Sequence, residues 1–166
     1  GNTYALINCA EDLQDLMIEM VVNLLKHTNP YTGKTYAADT ALAYIELQNE
    51  DNIFFYTTTV LDKVPTYRKD MVRRFSEWLT AKYTTQEALT AAWGKGLRAD
   101  ETLDSRNIDI YTNPWCLTVE GLAQLGKDAG SYQRLMDNAA FYHDVQNKFY
   151  TKFTKAIRDT GYQGVL

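Results

Sequence analysis

The chain is poor in the residues that build disulfide frameworks and metal sites. Its 166 residues include two cysteines, Cys9 and Cys116, and two histidines, His27 and His143. The cysteine spacing fits neither a metal motif nor a disulfide framework, so we expect two buried thiols. Neither histidine belongs to an H-x-x-x-H arrangement. The sequence therefore predicts no metal site and no cofactor.

An excess of positive charge and long apolar runs are also lacking. Lysine and arginine together number 17 against 21 aspartates and glutamates, which gives a formal net charge of -4. Proteins that bind nucleic acids usually carry a clustered basic surface, so the composition disfavours that class. No apolar run approaches the roughly 20 residues of a membrane span. We therefore predict neither nucleic-acid nor membrane partners.

The composition is otherwise that of a globular protein. Hydrophobic residues make up 45% of the chain and charged residues 23%. This balance predicts one ordered domain over residues 1–166, or a fragment of a larger protein. Aromatic residues reach 13%, with 12 tyrosines and 3 tryptophans. Tyrosine and tryptophan pack in cores and also line sugar-binding clefts, because they combine an apolar face with a polar tip.

Apolar periodicity predicts a chain of helices with one clear strand. Helices are predicted at residues 10–27, 66–83, 84–94 and 131–160. Thr84 and Glu87 form a possible capping box for the third of these. The apolar run at residues 42–47 is short enough for a buried parallel strand, and a second strand is predicted to begin near residue 163. Residues 97–130 are predicted to be an irregular insertion.

The predicted strand ends in polar residues that could take part in catalysis. Asn49 and Glu50 follow its last apolar position directly. In parallel α/β folds, active sites form at the carboxyl ends of strands, and a partly dry carboxyl group there acquires a raised pKa and donates a proton. The alternative interpretation is a solvated loop after a strand, since an Asn-Glu pair is common.

A longer stretch around this pair resembles a known enzyme family. The segment "HTNPYTGKTYAADTALAYIELQNEDN", residues 27–52, is similar to part of the clan A glycoside hydrolases, which are cellulase-like and beta-galactosidase-like TIM barrels. Looser similarity extends to residues 75–94 and to "IRDTGYQGVL" near the end. Thr40 departs from the family, whose members usually carry proline there. The resemblance implies an α/β fold, namely a central piece of a partial (β/α)8 barrel, with an extracellular or periplasmic location.

The resemblance also implies roles for individual residues. Glu50 would be the general acid/base of a retaining hydrolase of polysaccharides or oligosaccharides, and Asn49 would bind a sugar 2-hydroxyl. A retaining enzyme needs a second carboxylate about 5–5.5 Å away as the nucleophile. In the family this residue comes from the seventh strand, and no glutamate of this chain matches it. Glu46 is assigned to packing or support of the strand.

Two further hypotheses follow from the sequence. Tyr111, Asn113 and Trp115 of the predicted insertion are expected to line sugar subsites, unless they pack locally. The alternative to a hydrolase is a non-catalytic helical domain that binds carbohydrate or a protein partner. A strand without neighbours exposes its edges, so the isolated chain is expected either to self-associate or to pack the strand under its helices.

Overall fold

The structure is a computed structural model that describes residues 4–51, 53–54 and 57–166. The α-helices of this part are α1 (Glu11–Lys26), α2 (Pro65–Tyr83), α3 (Gln86–Trp93), α4 (Val119–Leu125) and α5 (Ala129–Arg158). Its 3₁₀ helices are Tyr4–Asn8, Tyr36–Ala38, Thr57–Lys63, Gly94–Gly96 and Pro114–Leu117. The chain divides into two compact units, Gly1–Asn52 with Val145–Leu166 and Ile53–Asp144. The boundary between the units falls within α5.

The predicted helices form where the end signals place them. α1 carries two acidic residues, Glu11 and Asp12, in its first turn and Lys26 in its last, which complements the helix dipole. α3 is capped by Thr85, whose hydroxyl accepts a hydrogen bond from the backbone N–H of Ala88 at 3.2 Å. The predicted cap at Thr84 is therefore wrong by one residue, because Thr84 instead ends α2 with a φ of 68°.

The long helix α5 is fixed at both ends. Asp128 precedes it and accepts hydrogen bonds from the backbone N–H groups of Gly130 at 3.1 Å and Ser131 at 3.0 Å. These bonds, led by the one from Ser131, lower the pKa of the Asp128 carboxyl. The helix stops before Gly161, which adopts a φ of 91° that other residues rarely tolerate.

The first unit is built around an apolar cluster between α1 and the second half of α5. Its buried members are Ile18, Leu25, Ala37, Phe149, Phe153, Ile157 and Tyr162. Leu42, Ile45 and Leu47 of the predicted strand pack against this cluster from one side. The segment therefore lies against the helices, which is one of the two outcomes expected for a strand without neighbours.

The predicted partial TIM barrel is wrong. The structure is 63% helical and 3% extended, and it has no sheet or barrel within the described residues. The expected strands at 42–47 and near 163 are reduced to one isolated parallel bridge between Tyr44 and Val165. Both of these residues are 68% exposed, so the segment buries one face and not two. A single bridge lacks the further strands that a parallel sheet needs to be buried on both faces.

The second unit has an aromatic core supported by buried charges. The Phe75 ring lies 5.1 Å from that of Phe141 and 6.1 Å from that of Trp93, measured between centroids. Beside this core, the Arg134 guanidinium donates two hydrogen bonds of 2.6 Å to the Glu101 carboxylate, and both side chains are buried. These contacts join the first half of α5 to α2, α3 and the segment that follows α3.

The region predicted as an irregular insertion, 97–130, contains a short 3₁₀ helix and α4. Its first part is held by Glu101, whose carboxylate accepts the backbone N–H groups of Arg98 at 3.0 Å and Asp109 at 2.9 Å. Leu103 and Ile108 are buried on either side of an exposed turn at 104–107. Residues 97–113 are therefore irregular in secondary structure but anchored, whereas the rest of the region, predicted to be irregular as well, is largely helical.

Candidate functional site

The first unit contains a ligand-sized cavity beside the segment that ends at Asp51. Its volume is about 520 Å³, and we call it the amide cleft. The lining residues are Ile7, Leu13, Met17, Glu46, Leu47, Gln48, Asn49 and Asp51. Small-molecule sites typically enclose roughly 300–1,000 Å³ and combine apolar walls with a few polar groups. The amide cleft has this size and this mixture.

The local fold explains how polar groups come to one wall of the cleft. Ile45 and Leu47 pack against the apolar cluster and are half-buried, while Glu46 between them is exposed. The chain then bends, and Asp51 returns to the interior with only 7% of its surface exposed. The wall therefore carries carboxylates at two depths, with an amide at Asn49 between them in sequence.

The inner part of this wall is held by the fully buried Asn8. The Asn8 amide nitrogen donates to the Asp51 carboxylate at 3.2 Å and to the Asp51 carbonyl at 3.3 Å. The Asn8 amide oxygen in turn accepts a hydrogen bond from the Gln48 side chain at 3.1 Å. One asparagine from the amino-terminal 3₁₀ helix thus fixes two of the cleft's polar residues.

The second half of α5 completes the network. The Gln146 amide nitrogen lies within hydrogen-bond distance of Asn8 Oδ1 at 3.2 Å and Gln48 Oε1 at 3.3 Å. It also donates to the Tyr150 hydroxyl at 2.9 Å, and that hydroxyl donates to Gln48 Oε1 at 2.9 Å. Gln48 is therefore held from two sides, so its position is set before any ligand arrives.

Burial sets the electrostatics of the network. Loss of hydration raises the pKa of the Asp51 carboxyl, and the hydrogen bonds from Asn8 and Gln48 offset only part of this effect. Burial also raises the pKa of Tyr150, and the charge of Asp51 adds to that increase. Both shifts of pKa favour the neutral forms of Asp51 and Tyr150.

Glu50, the predicted general acid/base, lies at the exposed rim. It is not among the lining residues, although its neighbours Asn49 and Asp51 are. Within the described residues its carboxylate forms no hydrogen bond or ion pair. Its backbone has a φ of 51°, in the left-handed region that costs a residue with a side chain about 1 kcal/mol or more. The assignments of Glu50 and Asn49 stay predictions.

The predicted subsite residues Tyr111, Asn113 and Trp115 lie in the second unit. The Tyr111 backbone N–H donates to Asn138 Oδ1 at 3.0 Å, and its ring lies 5.5 Å from the centre of the Arg134 guanidinium. Asn113 caps a 3₁₀ helix by accepting the backbone N–H of Trp115 at 3.0 Å. These contacts give all three residues a local role, and their sugar-binding role stays a prediction.

The described residues include neither a cluster of metal-ligand side chains nor a helix that could span a membrane. No group of three or more histidine, cysteine, aspartate or glutamate side chains is arranged to hold a metal ion there. None of the helices that the structure describes is long and apolar enough to cross a membrane.

Comparison with known proteins gives no relative. No family model, no curated protein and no solved structure matches the chain. The resemblance to clan A glycoside hydrolases is therefore wrong as an assignment of family, because neither a sequence match nor a barrel accompanies the motif. The enzyme role that was predicted for Glu50 has to be argued from this structure alone.

Sequence reasoning missed four of the residues that build the site. The sequence pattern pointed to Asn49 and Glu50 and did not single out Asn8, Asp51, Gln146 or Tyr150. One signal was present: Gln146 and Tyr150 are four residues apart and adjoin the buried positions Val145 and Phe149. Polar residues four apart next to a buried helix face indicate a buried network.

Proposed function

We propose that the amide cleft binds a neutral, hydroxyl-rich ligand of the carbohydrate class. The observation that carries this proposal is the composition of its walls. Leu13, Met17 and Leu47 supply apolar surface, while Gln48 and Asp51 supply fixed polar groups. A sugar ring has an apolar C–H face and hydroxyl edges, so it needs both kinds of wall in one cavity.

The polar wall suits hydroxyl groups because it both donates and accepts hydrogen bonds. Carboxylates accept two or more hydrogen bonds, and amides offer donors and acceptors together. Asn49 is exposed and forms no side-chain hydrogen bond within the described residues, so its amide is available to a ligand. Glu46 is likewise exposed at the same wall.

The network behind the wall supports the proposal energetically. Binding normally costs free energy to immobilise side chains, roughly 0.5–1.5 kcal/mol for each flexible one. Gln48 and Asp51 are already held by Asn8 and, for Gln48, by Tyr150 as well. The cleft therefore avoids part of this cost at two of its polar positions.

Titration with neutral oligosaccharides tests the proposal. Cellotetraose, xylotetraose and mannotetraose are titrated into the protein, with isothermal calorimetry and ligand-observed NMR as the measurements. Asn49→Ala is expected to weaken binding about three- to tenfold, the effect of one lost hydrogen bond. The matched control is Glu19→Gln, an exposed change on α1 outside the cleft. Absence of saturable binding at millimolar concentration, or equal affinity of Asn49→Ala and wild type, would overturn the proposal.

A second proposed function is cleavage of a glycosidic bond, with Glu50 as proton donor. The specific observation in its favour is the backbone of Glu50, which holds a left-handed conformation at the rim of the cleft. Strained backbone of this kind clusters at active sites. A retaining reaction also needs a second carboxylate, and Glu46 and Asp51 are the carboxylates that line the cleft.

A measurement of hydrolysis distinguishes this second proposal from binding of the carbohydrate alone. Release of reducing sugar from the same oligosaccharides is measured for wild type and Glu50→Gln. General acid/base catalysis typically contributes 10²–10⁴-fold, so Glu50→Gln should lose at least about 100-fold in kcat while binding persists. Hydrolysis that is equal in both proteins would remove Glu50 from the mechanism. Binding without hydrolysis in wild type would leave the cleft as a non-catalytic site.

Self-association of the isolated chain stays a proposal. α1 exposes three large apolar side chains at four-residue spacing, Leu16, Met20 and Leu24, each about 60% or more exposed. Such a stripe favours association. Sedimentation velocity over a hundredfold range of concentration measures it, and a concentration-independent monomer would rule it out.

A further inference from the structure

The second unit has its own cavity, which the carbohydrate proposal does not use. Its volume is about 520 Å³, and we call it the basic cavity. The lining residues are Thr66, Lys69, Asp70, Val72, Arg73, Ser105, Arg106 and Asn107. They come from the first turns of α2 and from the exposed turn that follows Leu103.

Positive charge exceeds negative charge at this wall, in a chain whose net charge is -4. Lys69, Arg73 and Arg106 line the cavity against the single carboxylate of Asp70. Arg73 is held by ion pairs, to Asp70 at 2.6 Å and to Glu77 at 2.8 Å. These pairs fix the position of the guanidinium but leave the wall with excess positive charge.

Lys69 and Arg106 are the positively charged side chains whose N–H donors are available to a ligand. The Arg106 guanidinium makes one ion pair, to Glu77 at 3.1 Å, and its side chain is 60% exposed. Lys69 is exposed and has no ion pair within the described residues. A guanidinium has five N–H donors and an ammonium has three, so most of their donors remain available.

The turn that carries Arg106 is rigid. The Asn107 side chain donates to the Asp100 carbonyl at 2.7 Å and accepts the Thr102 backbone N–H at 2.9 Å. The Arg106 backbone has a φ of 50°, a strained conformation in an exposed turn. The hydrogen bonds of Asn107 hold the turn, and the ion pair with Glu77 keeps the Arg106 guanidinium at the cavity.

We propose that the basic cavity binds a small organic anion through its carboxylate or phosphate group. Lys69 and Arg106 contact the oxyanion, while the hydroxyls of Thr66 and Ser105 bind polar groups on the rest of the molecule. The volume is that of a small-molecule site, so the ligand extends beyond the charged group. Arginine and lysine are the side chains that recognise carboxylate and phosphate oxygens.

Three sugars that differ in charge test the proposal. D-glucuronate carries a carboxylate, glucose 6-phosphate carries a phosphate, and D-glucose is the neutral control. Each is titrated into the full chain by calorimetry at 20 mM and at 200 mM salt. At least one anion is expected to bind more tightly than D-glucose, and its affinity should fall with salt, because screening weakens exposed charge interactions. Which anion binds distinguishes a carboxylate site from a phosphate site.

Substitutions that remove either a positive or a negative charge from the basic cavity test whether the anion binds there. Lys69→Gln and Arg106→Gln should each weaken binding of the anion about tenfold, the effect of one lost charge-assisted hydrogen bond. Asp70→Asn should instead tighten binding about threefold by removing a repulsive carboxylate. Local damage to the fold would weaken binding and not tighten it, so Asp70→Asn separates the two explanations. Lys127→Gln, an exposed lysine of the same unit that does not line the cavity, is the matched control.

Two results would overturn the proposal. One is equal affinity for D-glucose and both anions. The other is unchanged anion affinity in Lys69→Gln and Arg106→Gln. The carbohydrate proposal is independent of both, because it depends on variants of the first unit and on neutral ligands.

Discussion

The two units bury polar groups by different means. The first unit uses neutral amides: Asn8, Gln14 and Gln146 are buried there, together with the carboxyl of Asp51. The second unit buries charges, as in the pair formed by Glu101 and Arg134. The two arrangements differ in the partners they need, since a buried charge needs an opposite charge together with hydrogen bonds, whereas a neutral amide needs hydrogen bonds alone.

The charges of the second unit are closely compensated. Asp137 is 1% exposed and accepts hydrogen bonds from Lys82, Tyr83, Trp93 and Gln133 at 2.6–2.8 Å. Its charge and the burial of Tyr83 raise the pKa of that tyrosine to about 12, with burial as the larger cause. Such a centre fixes three helices in one arrangement. The amide network of the first unit instead supports one side of an open cavity.

The largest expected effect comes from breaking the charged pair of the second unit. Arg134→Met leaves the Glu101 carboxylate buried without its partner and should lower the free energy of unfolding by about 3–5 kcal/mol. Urea denaturation followed by tryptophan fluorescence measures the loss. Arg73→Met is the control, because Arg73 makes ion pairs at the surface, where they contribute about 1 kcal/mol or less. Equal losses in the two variants would contradict the contrast between buried and exposed pairs.

A smaller loss is expected at the centre of the amide network. Asn8→Leu preserves most of the volume but leaves Asp51 and Gln48 without their shared partner. The free energy of unfolding should fall by about 1–3 kcal/mol, the cost of unsatisfied buried polar groups. Thermal and urea unfolding followed by circular dichroism measure it. Asn49→Leu, at an exposed position of the same unit, is the control. If Asn8→Leu cost no more than this control, the network would have no structural role.

The buried carboxyls of Asp51 and Glu101 should respond to pH in opposite directions. The folded pKa of Asp51 is raised above its ordinary value of 3.8, so the folded state binds the proton more tightly than the unfolded chain. The contribution of Asp51 to stability therefore decreases as pH rises from about 3.8 through the raised pKa. For Glu101, burial raises the pKa, but the hydrogen bonds from Arg134 and two backbone N–H groups outweigh it and leave the value lowered. Its contribution is present above 4.5 and is lost as pH falls below that value.

Asp51→Asn measures the first of these slopes. The free energy of unfolding of wild type relative to Asp51→Asn should decrease between pH 4 and pH 7. Its slope with pH should be smaller than the slope that corresponds to release of one full proton. Urea denaturation at several pH values gives the difference. A difference that is constant with pH, or that increases, would show that the folded state does not favour the protonated carboxyl.

The smallest effects are expected at two strained backbone positions, Glu50 in the first unit and Arg106 in the second. Glu50 and Arg106 have φ values of 51° and 50°. Glycine tolerates this conformation, so Glu50→Gly and Arg106→Gly should raise the free energy of unfolding by up to about 1 kcal/mol despite the entropy that glycine adds to the unfolded chain. Substitution by alanine, which retains the strain, is the control at each position. A loss of stability in the glycine variants would mean that the side chains contribute more than the strain costs.

Much of the helical structure was predictable, since it depends on local signals. α1 was predicted within one residue at each end, and α2, predicted at 66–83, is Pro65–Tyr83 in the structure. The strand at 42–47 was not predictable in the same way. Its apolar residues fit a buried strand and a segment packed on helices equally well, and the difference lies in partners elsewhere in the chain. The motif around Asn49 and Glu50 is ambiguous for the same reason, since it fits the end of a barrel strand and an exposed loop equally well.

The sequence by itself determined where α1, α2, α3 and α5 lie and which of their faces are apolar, because these properties depend on residues within one or two turns of each other. It also determined the absence of an excess of positive charge and of a metal motif. Only the tertiary structure decided that Asn8 lies against Asp51, 43 residues away, and that Gln146 and Tyr150 hold Gln48. Such networks depend on distances in space, and the positions of polar residues along a chain do not encode those distances.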